Sequence, residues 1–130
     1  MALYTGLQLP ESNQKLAGIV VMSGYLPGAN SFKLTAGLES TPVYHFHGSS
    51  DPVVKHEWAD KTKNGLQALG VSKYALKSYN GVGHTISMDI LHDVKAVIAS
   101  LLPNDPAFIV KVSDNPNVVV LFLEMNKHFY

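Results

Sequence analysis

The chain has 130 residues, 46% of them hydrophobic, with ten lysines and arginines against ten aspartates and glutamates and no cysteine. That length suits one ordinary domain, and the composition is that of a chain able to bury a core rather than a disordered one. The balance of charge excludes the basic footprint of a nucleic-acid binder or a polybasic membrane-surface face, and it leaves little electrostatic protection against self-association.

Lack of cysteine rules out disulfides, thiolate zinc sites and a cysteine nucleophile, and it fits a reducing compartment. The first residues lack a basic stretch followed by a long apolar run, and no apolar run is long enough to span a bilayer. A cytoplasmic protein without a transmembrane segment is the expectation.

In chain order, Met1 to Leu9 reads as a helix with Leu3 and Leu7 on one face and Pro10 as its stop. A polar stretch, Glu11 to Lys15, precedes Leu16-Ala17-Gly18-Ile19-Val20-Val21-Met22, a nearly continuous apolar run. Such a run is the pattern of a parallel strand buried on both faces. It ends in the turn-rich loop Ser23 to Gly28.

Pro42 to His47 makes a second strand, followed by the turn Gly48-Ser49-Ser50-Asp51-Pro52. A helix is expected over about Val54 to Leu69, with Trp58, Thr62, Leu66 and Leu69 at helical spacing and Gly70 beyond its end. Tyr74 to Tyr79 alternates as a third strand and leads into Asn80-Gly81-Val82-Gly83-His84.

A last helix is expected over about Ser87 to Leu102, with Ile90, Leu91, Val94, Val97, Ile98, Leu101 and Leu102 on its stripe, Asp89 in its first turn and Pro103 after it. Strands alternating with helices predict an α/β fold with a parallel sheet of about three strands and right-handed crossovers. The remainder, 104–130, differs from 1–103. Phe108 to Val112 and Val118 to Leu123 are β-prone runs around Ser113 to Asn117, which read as a hairpin, or as an aggregation-prone appendix if nothing covers them.

Function in open α/β sheets gathers at the C-terminal ends of the strands. Asp51 and His84 fall there, after the second and third strands, in that order. A serine hydrolase of the α/β type carries serine, then an acid, then histidine, so these two suit the second and third members. The carboxylate would take the imidazole N–H, fix its tautomer and stabilise the imidazolium. In isolation Asp51 also reads as a helix-start residue before Pro52, and His84 as a loop histidine bonded to backbone. Together, in triad order and at strand ends, they favour the catalytic reading.

Leu16 to Pro27, His47-Gly48-Ser49-Ser50-Asp51-Pro52-Val53-Val54 and Tyr79 to His84 resemble the acyl-protein thioesterase and carboxylesterase family of serine α/β-hydrolases. The resemblance covers Met1 to about Pro103. It implies a partial α/β-hydrolase fold, Asp51 and His84 as triad members, Tyr25 and Leu26 lining an acyl pocket, and no cofactor. The implied substrates are acyl esters or thioesters such as lipidated proteins or lysolipids. In that family the segment similar to Met1 to Leu7 directly follows a Gly-x-Ser-x-Gly nucleophile elbow, and no serine of this chain sits in that pattern.

The nucleophile is therefore expected upstream of Met1, together with the oxyanion-hole amides, and the chain is expected to be the C-terminal half of a hydrolase. Losing the serine of a comparable triad costs about 10⁶ in kcat, so the chain by itself is expected to be inactive. The first strand would then expose an edge that normally pairs, and the β-prone tail could either cover an edge or worsen association. A truncated α/β domain used for binding or association is the alternative.

Other polar residues carry plainer readings. His45 and His47 point to one face of their strand, but a metal would need ligands beyond His56, so no metal site is expected and His47 reads as bonding the loop. Ser23 lacks the small residue two positions earlier that an elbow requires, His92 reads as solvated, and Trp58 as core.

Overall fold

Three apolar segments of the sequence pair side by side as parallel strands: β1 (Leu16–Met22), β2 (Val43–Gly48) and β3 (Tyr74–Tyr79). The computed structural model describes residues 2–8, 16–101, 108–112 and 121–125. Strand β1, a continuous apolar run, and strand β2, which carries two histidines, are buried almost throughout, whereas the alternating β3 lies at the sheet edge and is buried mainly at Tyr74 and Tyr79.

Helices cover both faces. The short α1 (Ala2–Leu7) and α2 (His56–Ala68) pack on the face made by Ile19, Val21, Val43 and Tyr74, with Leu3, Leu7 and Leu66 at the centre. Helix α3 (Met88–Leu101) lies on the opposite face, where Ile90 and Val94 meet Val20, Met22, Phe46 and Tyr79. Ser87 caps it, its hydroxyl accepting the Ile90 amide at 3.2 Å. Asp93 of α3 ties the helix to β3 by accepting from Lys77 Nζ at 2.6 Å and from the Tyr79 hydroxyl at 2.5 Å.

The crossover from β1 to β2 contains no α-helix. It runs through a short 3₁₀ turn at Ala29–Ser31 and is held to α1 by the Tyr4 hydroxyl on the Pro27 carbonyl, 2.7 Å, and by the Thr35 amide on Leu7. Two further strands, β4 (Phe108–Val112) and β5 (Leu121–Met125), pair antiparallel with each other. Strand β5 runs antiparallel along the outer edge of β1, giving the order β3-β2-β1-β5-β4. The edge that the sequence left open on β1 is thus paired by the tail.

The sequence places the start of α2 at Val54, but the helix begins at His56. The reason is local: the Val53 and Val54 amides are taken by the Asp51 carboxylate, which holds 51–54 as a turn. The buried stripe of α2 is Ala59, Thr62 and Leu66; Trp58 and Leu69, expected to face inward, are 37% and 46% exposed. Leu91 likewise turns outward from α3. The second tail strand begins at Leu121, and the Val118 to Val120 part of the expected run lies outside the described residues, as do Leu9, Pro10, the stretch 11–15, Leu102, Pro103 and the turn 113–117.

The two tryptophan and leucine positions separate these readings experimentally. Leu66→Ala, which empties a site of 0% exposure, is expected to cost about 2–5 kcal/mol by chemical denaturation. Trp58→Ala is expected to cost about 1 kcal/mol or less, since its ring is already in contact with solvent.

Candidate active site

Strands β2 and β3 run in register from Val43↔Tyr74 to Gly48↔Tyr79, so the loops that follow them leave the sheet together. Two backbone bonds, Ser49 N–H to Tyr79 and Ser50 N–H to Val82, and one to a side chain, Gly81 N–H to the Ser49 hydroxyl, lace those segments. Gly48 is where they meet most closely. A Cβ there would stand 2.6 Å from the Gly83 carbonyl oxygen, which is backbone and has no rotamer to yield. Gly81 makes the turn with φ of 71°.

On this frame Asp51 and His84 come together, with His84 Nδ1 2.8 Å from Asp51 Oδ2. The Asp51 side chain is fully buried, while that of His84 is 23% exposed. The other carboxylate oxygen, Oδ1, accepts the Val53 amide at 2.8 Å and the Val54 amide at 2.9 Å. Burial pulls the Asp51 carboxyl upward, but the hydrogen bond from His84 and those from the Val54 and Val53 amides outweigh it and hold it below the usual carboxylate range. An ionised carboxylate only accepts, so His84 carries its proton on Nδ1 and keeps a lone pair on Nε2. That is an imidazole oriented to receive a proton at Nε2.

Behind the turn lies a buried polar row that an apolar strand would not need. His45 and His47, both wholly buried, alternate on β2 towards α2. His47 Nε2 is 2.7 Å from the Val54 carbonyl, His47 Nδ1 is 3.4 Å from His45 Nε2, and His45 Nδ1 is 2.7 Å from the Tyr74 hydroxyl. Both rings are thereby committed to protein partners, and among the described residues no group of three histidines, aspartates or glutamates is arranged to hold a metal. His56 bonds to Asp60 and Ser78 at the surface.

Tyr25 and Leu26 sit on the loop after β1. Leu26 is buried, its amide held by Thr62 Oγ1 at 2.9 Å, and the exposed Tyr25 ring lies 5.1 Å from that of Trp58. They line a cavity of about 310 Å³ with Trp58, Lys61 and Thr62. Trp58 is therefore a cavity wall rather than core. Ser23, at the end of β1, has φ of 50°, the one positive value for a non-glycine among the described residues.

Sequence reasoning reached Asp51 and His84 but missed what surrounds them: Gly48 and the Val53 and Val54 amides. A glycine closing β2 directly after the histidine pair was the available signal for the first.

Parallel strands with helices on both faces, and a carboxylate–imidazole pair at the strand ends, make this a partial α/β-hydrolase fold. It superposes on the crystal structure of esterase PE8 with a TM-score of 0.65 at 34% identity, covering 78% of this chain and 45% of that one. Against the crystal structure of Arabidopsis thaliana SOBER1 the TM-score is 0.67 at 27% identity, covering 78% and 48%.

The phospholipase/carboxylesterase family profile matches residues 1–102, and the chain belongs to that family. Its relatives include acyl-protein thioesterase 1 of Saccharomyces cerevisiae, 33% identical over 105 residues, which are 78% of this chain and 45% of the relative. Acyl-protein thioesterase 1 of Gibberella zeae is 35% identical over 107 residues, 79% and 44% of the two. The chain thus spans a little under half the length of these relatives.

Buried His45 gives the fold a pH signature. Burial first, and then the neighbouring His47, outweigh a hydrogen bond to the Gly24 backbone and lower His45 from 6.5 to about 3. Below 6.5 the unfolded chain binds a proton that the folded one refuses, so this residue's contribution to stability falls with pH until about 3. Denaturation between pH 6.5 and 4.5 is expected to show a loss of about 2–3 kcal/mol from this group. That part of the slope is expected to vanish in His45→Gln, whatever the variant's stability at neutral pH.

Proposed function

We propose that this chain supplies the acid and base members of an acyl ester or thioester hydrolase. In this reading Asp51 orients His84, and His84 Nε2 takes the proton of a serine nucleophile contributed from outside these residues. The serine oxygen bonds to the acyl carbon, the carbon–sulfur or carbon–oxygen bond breaks, and His84 passes its proton to the leaving group. Water then repeats the sequence on the acyl-serine.

The observation that carries this reading is the 2.8 Å bond between His84 Nδ1 and the fully buried Asp51 carboxylate. It supports an imidazole preset in the tautomer a general base requires. Membership of the family, and relatives that are acyl-protein thioesterases, support the substrate class. Tyr25 and Leu26 are assigned to the acyl group's pocket because they line the apolar cavity beside Trp58.

A second reading, a half-domain serving binding or association, is favoured by one feature: β5 already pairs with the β1 edge. Recombination separates the two. The chain alone is expected not to label with a fluorophosphonate probe. Mixed with a segment holding the serine-bearing part of the Saccharomyces relative, it is expected to hydrolyse a short acyl thioester. His84→Ala should then lower kcat by about 10⁶ and Asp51→Ala by about 10⁴. Stoichiometric labelling of the isolated chain, or undiminished turnover in the His84→Ala mixture, sinks the hydrolase reading. A mixture that assembles without turnover favours the second.

A further inference from the structure

The face of β2 under α2 is where a parallel strand is normally filled by Val, Ile or Leu, yet it holds two imidazoles of 0% exposure. Burying polar rings costs stability unless each nitrogen is partnered, and here the partners form a directed chain. A carbonyl oxygen can only accept, so His47 Nε2 carries a hydrogen and donates it to Val54 at 2.7 Å. In the neutral ring His47 Nδ1 is then an acceptor, facing His45 Nε2 at 3.4 Å. In this arrangement His45 Nε2 carries the hydrogen of that ring, which also bonds the Gly24 backbone, and its Nδ1 accepts from the Tyr74 hydroxyl at 2.7 Å. Burial pushes the Tyr74 hydroxyl up, so it stays protonated and able to donate.

Val54 is the point at which this chain meets the site. Its carbonyl is held by His47, and its amide donates to Asp51 Oδ1 at 2.9 Å. His47 itself lies on β2, paired with Ser78 of β3, one residue before the glycine on which the His84 loop rests. The backbone bonds that hold Asp51 otherwise are few: its own amide reaches Gly48 at a long 3.4 Å, and Ser50 bonds to Val82. The His47–Val54 bond therefore adds a short tie between the turn 51–54 and β2, and His47 Nε2 also stands 3.7 Å from Asp51 Oδ2.

We propose that His47 is the positioning residue of the Asp51–His84 pair, acting on the Val54 carbonyl through its Nε2–H, with His45 and Tyr74 completing the row of partners behind it. The proposal rests on the hydrolase reading above, because it assigns His47 a role in holding that pair. It makes the buried polar row a support for the site, rather than a metal site or a second reaction centre.

Ring-nitrogen NMR of the full 15N-labelled chain, at a pH where the imidazoles are neutral, tests it. In the wild type His47 is expected to be protonated on Nε2 and bare on Nδ1, and His84 protonated on Nδ1 with a slowly exchanging ring proton. Asp51→Ala supplies the reference for an unheld His84. His47→Phe is expected to lose the His84 ring-proton signal and move its tautomer balance towards that reference, with the Val54 amide exchanging about two- to tenfold faster.

His47→Gln, whose side-chain amide puts an N–H near the place of Nε2–H, is expected to restore the wild-type His84 signature. A role in packing alone would not be rescued in this way. If His47→Phe does not fold, His47→Met, which drops the donor on an unbranched side chain, carries the same comparison. A wild-type His47 protonated on Nδ1 overturns the proposal without any variant, as does a His47→Phe or His47→Met chain that keeps the wild-type His84 tautomer. A wild-type His84 that already matches Asp51→Ala overturns the hydrolase reading as well, so the two failures are told apart.

Discussion

The register between β2 and β3 is the constraint on which the site depends. Because Gly48 pairs with Tyr79, both strands end at the same level, and the loops that follow emerge against each other rather than apart. A shift by one residue would turn every β3 side chain to the other face. It would carry Tyr74 away from His45 and Tyr79 away from Asp93, two bonds on opposite faces of the sheet. The hydrogen bond between Asp51 and His84 is a consequence of that registration. Neither loop makes it unaided.

Polar burial on one face of β2 gives the same end of the sheet its rigidity. An apolar core is non-directional and tolerates exchange of one aliphatic side chain for another. A row of imidazoles tolerates less, since each nitrogen must meet a group of the opposite kind. Tyr74, His45, His47 and Val54 meet that requirement in one direction. The opposite face, with Val20, Met22, Phe46, Ile90 and Val94, carries the ordinary apolar packing. Its polar fastening is at the rim, where Asp93 gathers Lys77 and Tyr79.

The side of the sheet away from β3 obeys a different physics. Strand β1 is buried on both faces, so an unpaired outer edge would leave backbone N–H and C=O groups of an apolar strand open to any other strand. Strand β5 takes that edge, antiparallel to β1. A chain of a little under half its relatives' length thus has both sides of β1 occupied. The β-prone composition of the tail, legible as a hairpin, is what makes such pairing available.

Periodicity was enough for most of the fold. The apolar runs at 16–22 and 74–79 coincide with β1 and β3, and the helical stripe around Ile90 and Val94 with α3. Where periodicity misled, a side chain had intervened: the Asp51 carboxylate claims two amides that would otherwise begin α2, and Trp58 turns to Tyr25 at a cavity instead of the core. The order aspartate, histidine at successive strand ends singled out Asp51 and His84, because topology converts that order into neighbourhood. The close approach at Gly48, the meeting of His45 with Tyr74 and the partner of the β1 edge lie beyond sequence, since each joins residues distant along the chain whose meeting depends on register. Local pattern determines which segments become strands and helices; only the packed sheet decides which polar atoms face each other, and that is what gives the site its geometry.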